Sequence, residues 1–165
     1  MTFADTNILL DLVTGDPVWA DWSQRQLEAA AVRGPLPING VVYAELSAGF
    51  VRVEEVDATL SEACIEVDPI PREALFLAGK VFRQYRARGG SRTGVLPDFF
   101  IGAHAAVTGV PLLTRDARLY QTYFPAVRLI APEGWRCVEK RTLCLAGKRM
   151  CCRHDIMTFV NPPRT

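Results

Sequence analysis

Short apolar runs alternate with amphipathic stretches from Thr2 to Ile130, the rhythm of strand and helix. Residues 2–4 predict a buried strand, and Asp5-Thr6 then caps a helix carrying Ile8, Leu9, Leu12 and Val13. Asp16-Pro17 opens a second helix that runs to about Arg33, with Trp19, Trp22 and Leu27 on one side. Gly34-Pro35-Leu36-Pro37 breaks it, a strand at 36–38 follows, and Asn39-Gly40 leads into a helix from Val41 to about Arg52. Further helices are predicted at 54–64, 72–88, 99–108 and 115–120, and strands at 65–67, 110–114 and 126–130. Residues 89–94 are a Gly-rich loop between two of these helices.

Strands that alternate with helices in this way predict an α/β fold, a central parallel sheet of four to five short strands flanked by helices on both faces. The pattern stops after Pro132, so the chain divides into a domain at 1–131 and an extension at 132–165 that has little periodicity of its own. Charge divides at nearly the same place. Residues 1–136 carry 13 Lys and Arg against 16 Asp and Glu, while 137–165 carry 6 against 2. An acidic body excludes a globally basic nucleic-acid binder, so any such contact must be local. Four of the five cysteines, Cys137, Cys144, Cys151 and Cys152, lie in the extension near His154, but their spacings match no zinc pattern and they read as incidental thiols. No apolar stretch approaches the ~20 residues that span a bilayer. The N-terminus carries an early acid and no basic segment, so the expectation is a soluble cytoplasmic protein.

The candidate chemistry lies in Asp5, Glu45, Asp98 and Asp116, each placed where an apolar run meets a helix start. Taken singly, each has a bland role. Asp5, Asp98 and Asp116 suit helix caps, and Glu45 suits a solvated first turn. Taken together, parallel strands would bring them to one edge of the sheet, where open α/β folds place their sites. Acids in apolar neighbourhoods need a partner, and no Lys or Arg stands beside Asp5 or Glu45 in sequence. A hard cation, Mg²⁺ or Mn²⁺, would supply it and could activate water for attack on a phosphate. An acid two residues after the first, as haloacid-dehalogenase-type phosphatases require, is excluded because position 7 is Asn. His104, set among Ala and Gly, reads as a packing residue.

The stretches DTNILLD at 5–11, VVYAEL at 41–46, LPDFFIGAHA at 96–105 and LLTRD at 112–116 resemble the motifs of PIN-domain ribonucleases, and most of all the toxin half of VapBC toxin–antitoxin modules. The resemblance is ordered and runs from residue 1 to about 131; residues 137–165 have no counterpart in it. It implies a PIN-like three-layer fold and a Mg²⁺-dependent endoribonuclease. By this resemblance Asp5 and Asp98 contact the metal directly, Glu45 and Asp116 act through bound water, and Asn7 and Thr114 orient the acids. It further implies an RNA substrate, a cognate antitoxin received in a groove of the early helices near Trp19, Trp22, Phe50 and Val53, and a homodimer. A housekeeping nuclease on ribosomal RNA or structured DNA, or an inactive PIN-like binding module, are the other readings it admits.

Arg83, Arg86, Arg88 and Arg92 lead into the Gly-rich loop just before Asp98. They serve either as a solvated helix end that complements the dipole or as a local patch that holds RNA phosphates. Tyr85 is either a core residue or a platform for a base.

Overall fold

In a computed structural model, which describes residues 1–91 and 94–132, the strands and helices run β1 (Phe3–Ala4), α1 (Thr6–Val13), α2 (Ala20–Arg33), β2 (Leu36–Asn39), α3 (Gly40–Ser47), α4 (Val53–Glu62), β3 (Ile65–Asp68), α5 (Arg72–Ala87), α6 (Leu96–Thr108), β4 (Leu112–Leu113), α7 (Ala117–Tyr123) and β5 (Leu129–Ile130). The alternation read from the sequence is therefore the alternation of the fold. All strand pairings are parallel: β1 with β4, β4 with β5, and β2 with β3. The Thr2 N–H donates to the Pro35 carbonyl at 3.0 Å, which sets β1 beside β2. The strands thus follow in the order β3-β2-β1-β4-β5, with β1 at the centre.

The central strands are wholly enclosed. Phe3, Ala4, Leu112 and Leu113 are at most 1% exposed, so both faces of β1 and β4 are covered, as parallel strands require. Helices close over them with Ile8 and Leu9 from α1, Val42 and Leu46 from α3, Ala74 and Ala78 from α5, and Phe99, Ile101 and Ala105 from α6. Parallel pairing sends the strand ends Asp5, Asn39 and Thr114 to one edge. No described helix is long and apolar enough to cross a membrane.

Local chemistry moved several boundaries. Helix α2 starts at Ala20 rather than at Pro17, because Asp16 Oδ1 accepts the N–H groups of Val18 and Trp19 at 2.8 and 2.9 Å and holds a turn instead. Helix α3 stops at Ser47, well short of Arg52: the Ser47 hydroxyl donates to the Tyr43 carbonyl, and tight turns through Gly49 and Phe50 follow. Strand β4 loses Val110 and Pro111, since proline has no N–H for the ladder. Helix α7 begins after Asp116 rather than at Arg115. Apart from Pro132, the extension with its four cysteines lies outside the described residues.

Helices α6 and α7 meet at Gly102, where an added Cβ would lie 2.5 Å from two ring carbons of Phe124 and 3.0 Å from Tyr120 Cδ1. Gly102→Ala is expected to destabilise the protein by about 1–3 kcal/mol, seen as a lower midpoint in thermal denaturation.

Candidate active site

Asp5 leaves the central strand at its C-terminal end and caps α1, yet it is only 3% exposed. A carboxylate at such a depth needs hydrogen-bond donors, and it has four. Its Oδ1 accepts the Thr6 N–H at 2.8 Å. Its Oδ2 accepts the Thr114 hydroxyl at 2.6 Å, the Asn7 amide at 2.8 Å and the Tyr120 hydroxyl at 3.2 Å. The direction of the Thr114 bond is fixed. Its oxygen takes N–H groups from Asn7 and Asp116, so its one proton goes to Asp5. Asn7 is likewise fully used, because its Oδ1 accepts the Arg115 N–H at 3.2 Å. Burial raises the Asp5 pKa from 3.8 to about 6; the bonds from Thr114, Tyr120 and Thr6 oppose that rise, and the charge of Glu45 adds to it.

Glu45 is half-buried on α3, and burial raises its pKa as well, against a lowering hydrogen bond from Thr6. Thr6 joins the two acids: its N–H serves Asp5, and its hydroxyl donates to Glu45 Oε2 at 2.5 Å. Asn39 sets the direction of α3 by accepting the N–H groups of Val41 and Val42 on its Oδ1. Asp98 lies half-buried in the first turn of α6, where Val95 occupies the N-cap position without a side-chain bond. The Asp98 charge reaches the same buried group as the other two. Burial drives the Tyr120 pKa well above its ordinary value, and the charges of Asp5, Asp98 and Glu45 push it further. Tyr120 is therefore a neutral donor with three acids around it.

Asp116 stands apart from these three. Its side chain is exposed and accepts the Arg118 N–H at 3.3 Å as the cap of α7, so only its backbone, through Thr114, joins the site. Arg115 is engaged elsewhere. Its Nη1 meets Asp11 Oδ1 at 2.8 Å, and Asp11, itself buried, accepts the Ser23 hydroxyl at 2.6 Å. Among the described residues no Lys or Arg forms an ion pair with Asp5 or Glu45. The three inner acids offer the hard oxygen donors that Mg²⁺ or Mn²⁺ prefers, and their repulsion calls for a cation. Among the described residues, however, no three acid, His or Cys side chains already stand as a metal-holding group. The acids ring Tyr120 without meeting at one point.

Arg83, Arg86 and Arg88 are exposed at the end of α5, and Arg88 lies 5.9 Å from the Tyr123 ring centre; Arg92 is outside the described residues. Tyr85 packs edge-on against Phe99, next to Asp98, and against Tyr123. His104 is 2% exposed and packs 4.8 Å from Phe3, as its small neighbours suggested. Thr6, Tyr120 and the Asp11–Arg115 pair were not singled out from the sequence. The signal was present for Thr6, adjacent to Asp5, and for Tyr120, one helical turn after Asp116.

Burial of a charged Asp5 has a thermodynamic consequence. A native pKa near 6 against 3.8 unfolded means the native state holds the proton more tightly, so the contribution of Asp5 to stability is fully present below about pH 4 and is lost as pH rises through 6. Asp5→Asn should therefore stabilise the metal-free protein near pH 7.5 by about 1–3 kcal/mol, seen as a higher melting midpoint, and the gain over the parent should vanish near pH 4. Thermal denaturation of both proteins across that range checks it.

Solved structures of similar fold bear on this arrangement. The chain resembles VapBC2 of Rickettsia felis, solved bound to a DNA fragment from its promoter, at 20% identity and a TM-score of 0.62 over 80% of this chain and 98% of that one. It resembles DNA-bound VapBC of Salmonella typhimurium at 18% identity and a TM-score of 0.57, over 79% and 98% of the two chains. VapBC-1 of nontypeable Haemophilus influenzae gives 19% identity and a TM-score of 0.58, over 79% and 96%. At these identities the likeness is one of fold. No curated protein matches the chain. The sequence model of the PIN domain matches residues 2–125, three quarters of the chain and all of the strand-end acids, and on that ground the chain belongs to the PIN domain family.

Proposed function

We propose that this chain is a metal-dependent endoribonuclease and the toxin of a VapBC-type toxin–antitoxin module. The observation that carries the reading is the charge imbalance at the sheet edge. Asp5, Glu45 and Asp98 surround a neutral Tyr120, and no Lys or Arg among the described residues pairs with Asp5 or Glu45. Such a set is stable when a divalent cation neutralises it. Asp5 and Asp98 are the residues that would hold Mg²⁺ or Mn²⁺, with Glu45 acting on its water, while the exposed Asp116 serves as the cap of α7. When bound, the ion supplies a water of lowered pKa and a counter-charge for the phosphate. Thr6 aligns Glu45 with Asp5, while Asn7 and Thr114 keep the Asp5 carboxylate from turning.

The substrate in this reading is RNA, whose backbone approaches an otherwise acidic body through Arg83, Arg86 and Arg88 at the end of α5. The partners are a cognate antitoxin and a second copy of the chain, and the compartment is the cytoplasm. The likeness to VapBC structures supports the antitoxin partner. A second reading, a PIN domain that binds a partner without cleaving, is favoured by one observation: the inner acids are not already grouped as a metal site among the described residues.

Expression of the chain with and without Asp5→Asn separates the two. The parent is expected to arrest growth and to cleave total RNA with Mg²⁺ but not with EDTA, and Asp5→Asn to do neither. Growth arrest by both proteins, or cleavage indifferent to EDTA, contradicts the proposal. Replacing Arg83, Arg86 and Arg88 together by Ala should weaken RNA binding and flatten its salt dependence, the slope falling by up to about 0.7 for each phosphate that the variant no longer neutralises.

A further inference from the structure

The two oxygens of Asp5 are treated differently. Oδ2 accepts Thr114, Asn7 and Tyr120, three donors on an atom with two lone pairs. Among the described residues Oδ1 accepts the Thr6 N–H alone, and Thr6 is the residue whose hydroxyl reaches Glu45. One oxygen is thus saturated within the protein, and the other keeps an unused lone pair. Thr114 and Asn7 come from the same strand-end segments as the acids. Tyr120 comes from elsewhere, the middle of α7, and its placement there requires several supports.

Asp116 caps α7 and so fixes the turn that ends at Tyr120. Gly102 leaves room for the Phe124 ring, two carbons of which lie 2.5 Å from where its Cβ would be, and for the edge of the Tyr120 ring at 3.0 Å. The ring is 2% exposed, so its hydroxyl is far from water and its proton goes to Asp5. A phenylalanine would fill that space equally well and would avoid burying a hydroxyl among acids. Packing alone therefore does not account for the oxygen.

We infer that Tyr120 is a positioning residue of the metal centre, holding Oδ2 of Asp5 so that Oδ1 is the oxygen presented to the cation. The inference rests on the metal-dependent reading above. It also gives Asp116 a part that does not need direct contact with the ion: capping the helix that aims Tyr120.

The test uses the full chain, its Tyr120→Phe variant, and Mn²⁺ as the probe, with free Mn²⁺ followed by electron paramagnetic resonance. Tyr120→Phe is expected to bind Mn²⁺ about tenfold more weakly, the low end for removal of a residue that orients a metal ligand. Its thermal midpoint in EDTA should stay near that of the parent, and its RNA cleavage should recover at saturating Mn²⁺. That split between metal affinity and turnover is one that a merely structural role would not produce. Equal Mn²⁺ affinity in parent and variant overturns the inference and leaves the nuclease reading standing. A parent that binds no Mn²⁺ overturns both. Should Tyr120→Phe fail to fold, Gly102→Ala crowds the Tyr120 ring together with Phe124, and unchanged Mn²⁺ affinity in that variant overturns the inference.

Discussion

A carboxylate withdrawn from water at the end of the central strand, and given only neutral donors, is the constraint around which this domain is arranged. Asp5 must be there because β1 is the middle strand and parallel pairing brings its end to the shared edge. Having been buried, it must be hydrogen-bonded, and the donors arrive from three directions: Thr6 and Asn7 on its own helix, Thr114 at the end of β4, and Tyr120 on α7. The polar network therefore joins the N-terminal and C-terminal parts of the described domain, from Asp5 to Tyr120. Burial raises the pKa of Asp5, and the neutral donors that satisfy its lone pairs lower it only in part.

Helix α1 and the residue before it hold two buried acids, and they meet different fates. Asp11 is 2% exposed and paired with Arg115 at 2.8 Å, with Ser23 completing its bonds. Arg115 is also drawn to Asp16 at 3.9 Å and to the Trp19 ring at 5.8 Å. This pair clips the start of α2 and the loop before α7 to α1. It has a second effect. The cation that sits next to Asp116 in sequence is committed to Asp11 and Asp16, so it is not spent on Asp5 or Glu45 and their negative charge persists. A buried ion pair is costly to desolvate, and here its geometric consequence outweighs any gain in stability.

Much of this was legible in the sequence, and the physical reasons are specific. The parallel sheet was readable because apolar runs of strand length recur between amphipathic stretches, and nothing in the tertiary structure overrides that. Asp5, Glu45, Asp98 and Asp116 read as a set because each stands where an apolar run meets a helix start, yet the Asp116 side chain is exposed and caps α7. What escaped the sequence was contact at long range. Tyr120 looks like any aromatic on a short helix until the fold brings its hydroxyl to Asp5. Arg115 looks like a surface residue until α1 brings Asp11 against it. The starts of α2 and α7 moved because the Asp16 and Asp116 side chains bond to nearby N–H groups, a local competition that hydrophobic periodicity does not register.

Asp5 is a buried acid that no Lys or Arg among the described residues pairs with, and on the proposed reading a divalent cation relieves its charge. Carbon-13 detection of the Asp5 carboxyl through a pH titration, without and then with Mg²⁺, reads that charge at its own atom. The expected result is an apparent pKa near 6 in the metal-free protein, falling well below that when Mg²⁺ is added. A pKa at or below the ordinary value of 3.8 in the metal-free protein, unmoved by Mg²⁺, would contradict it.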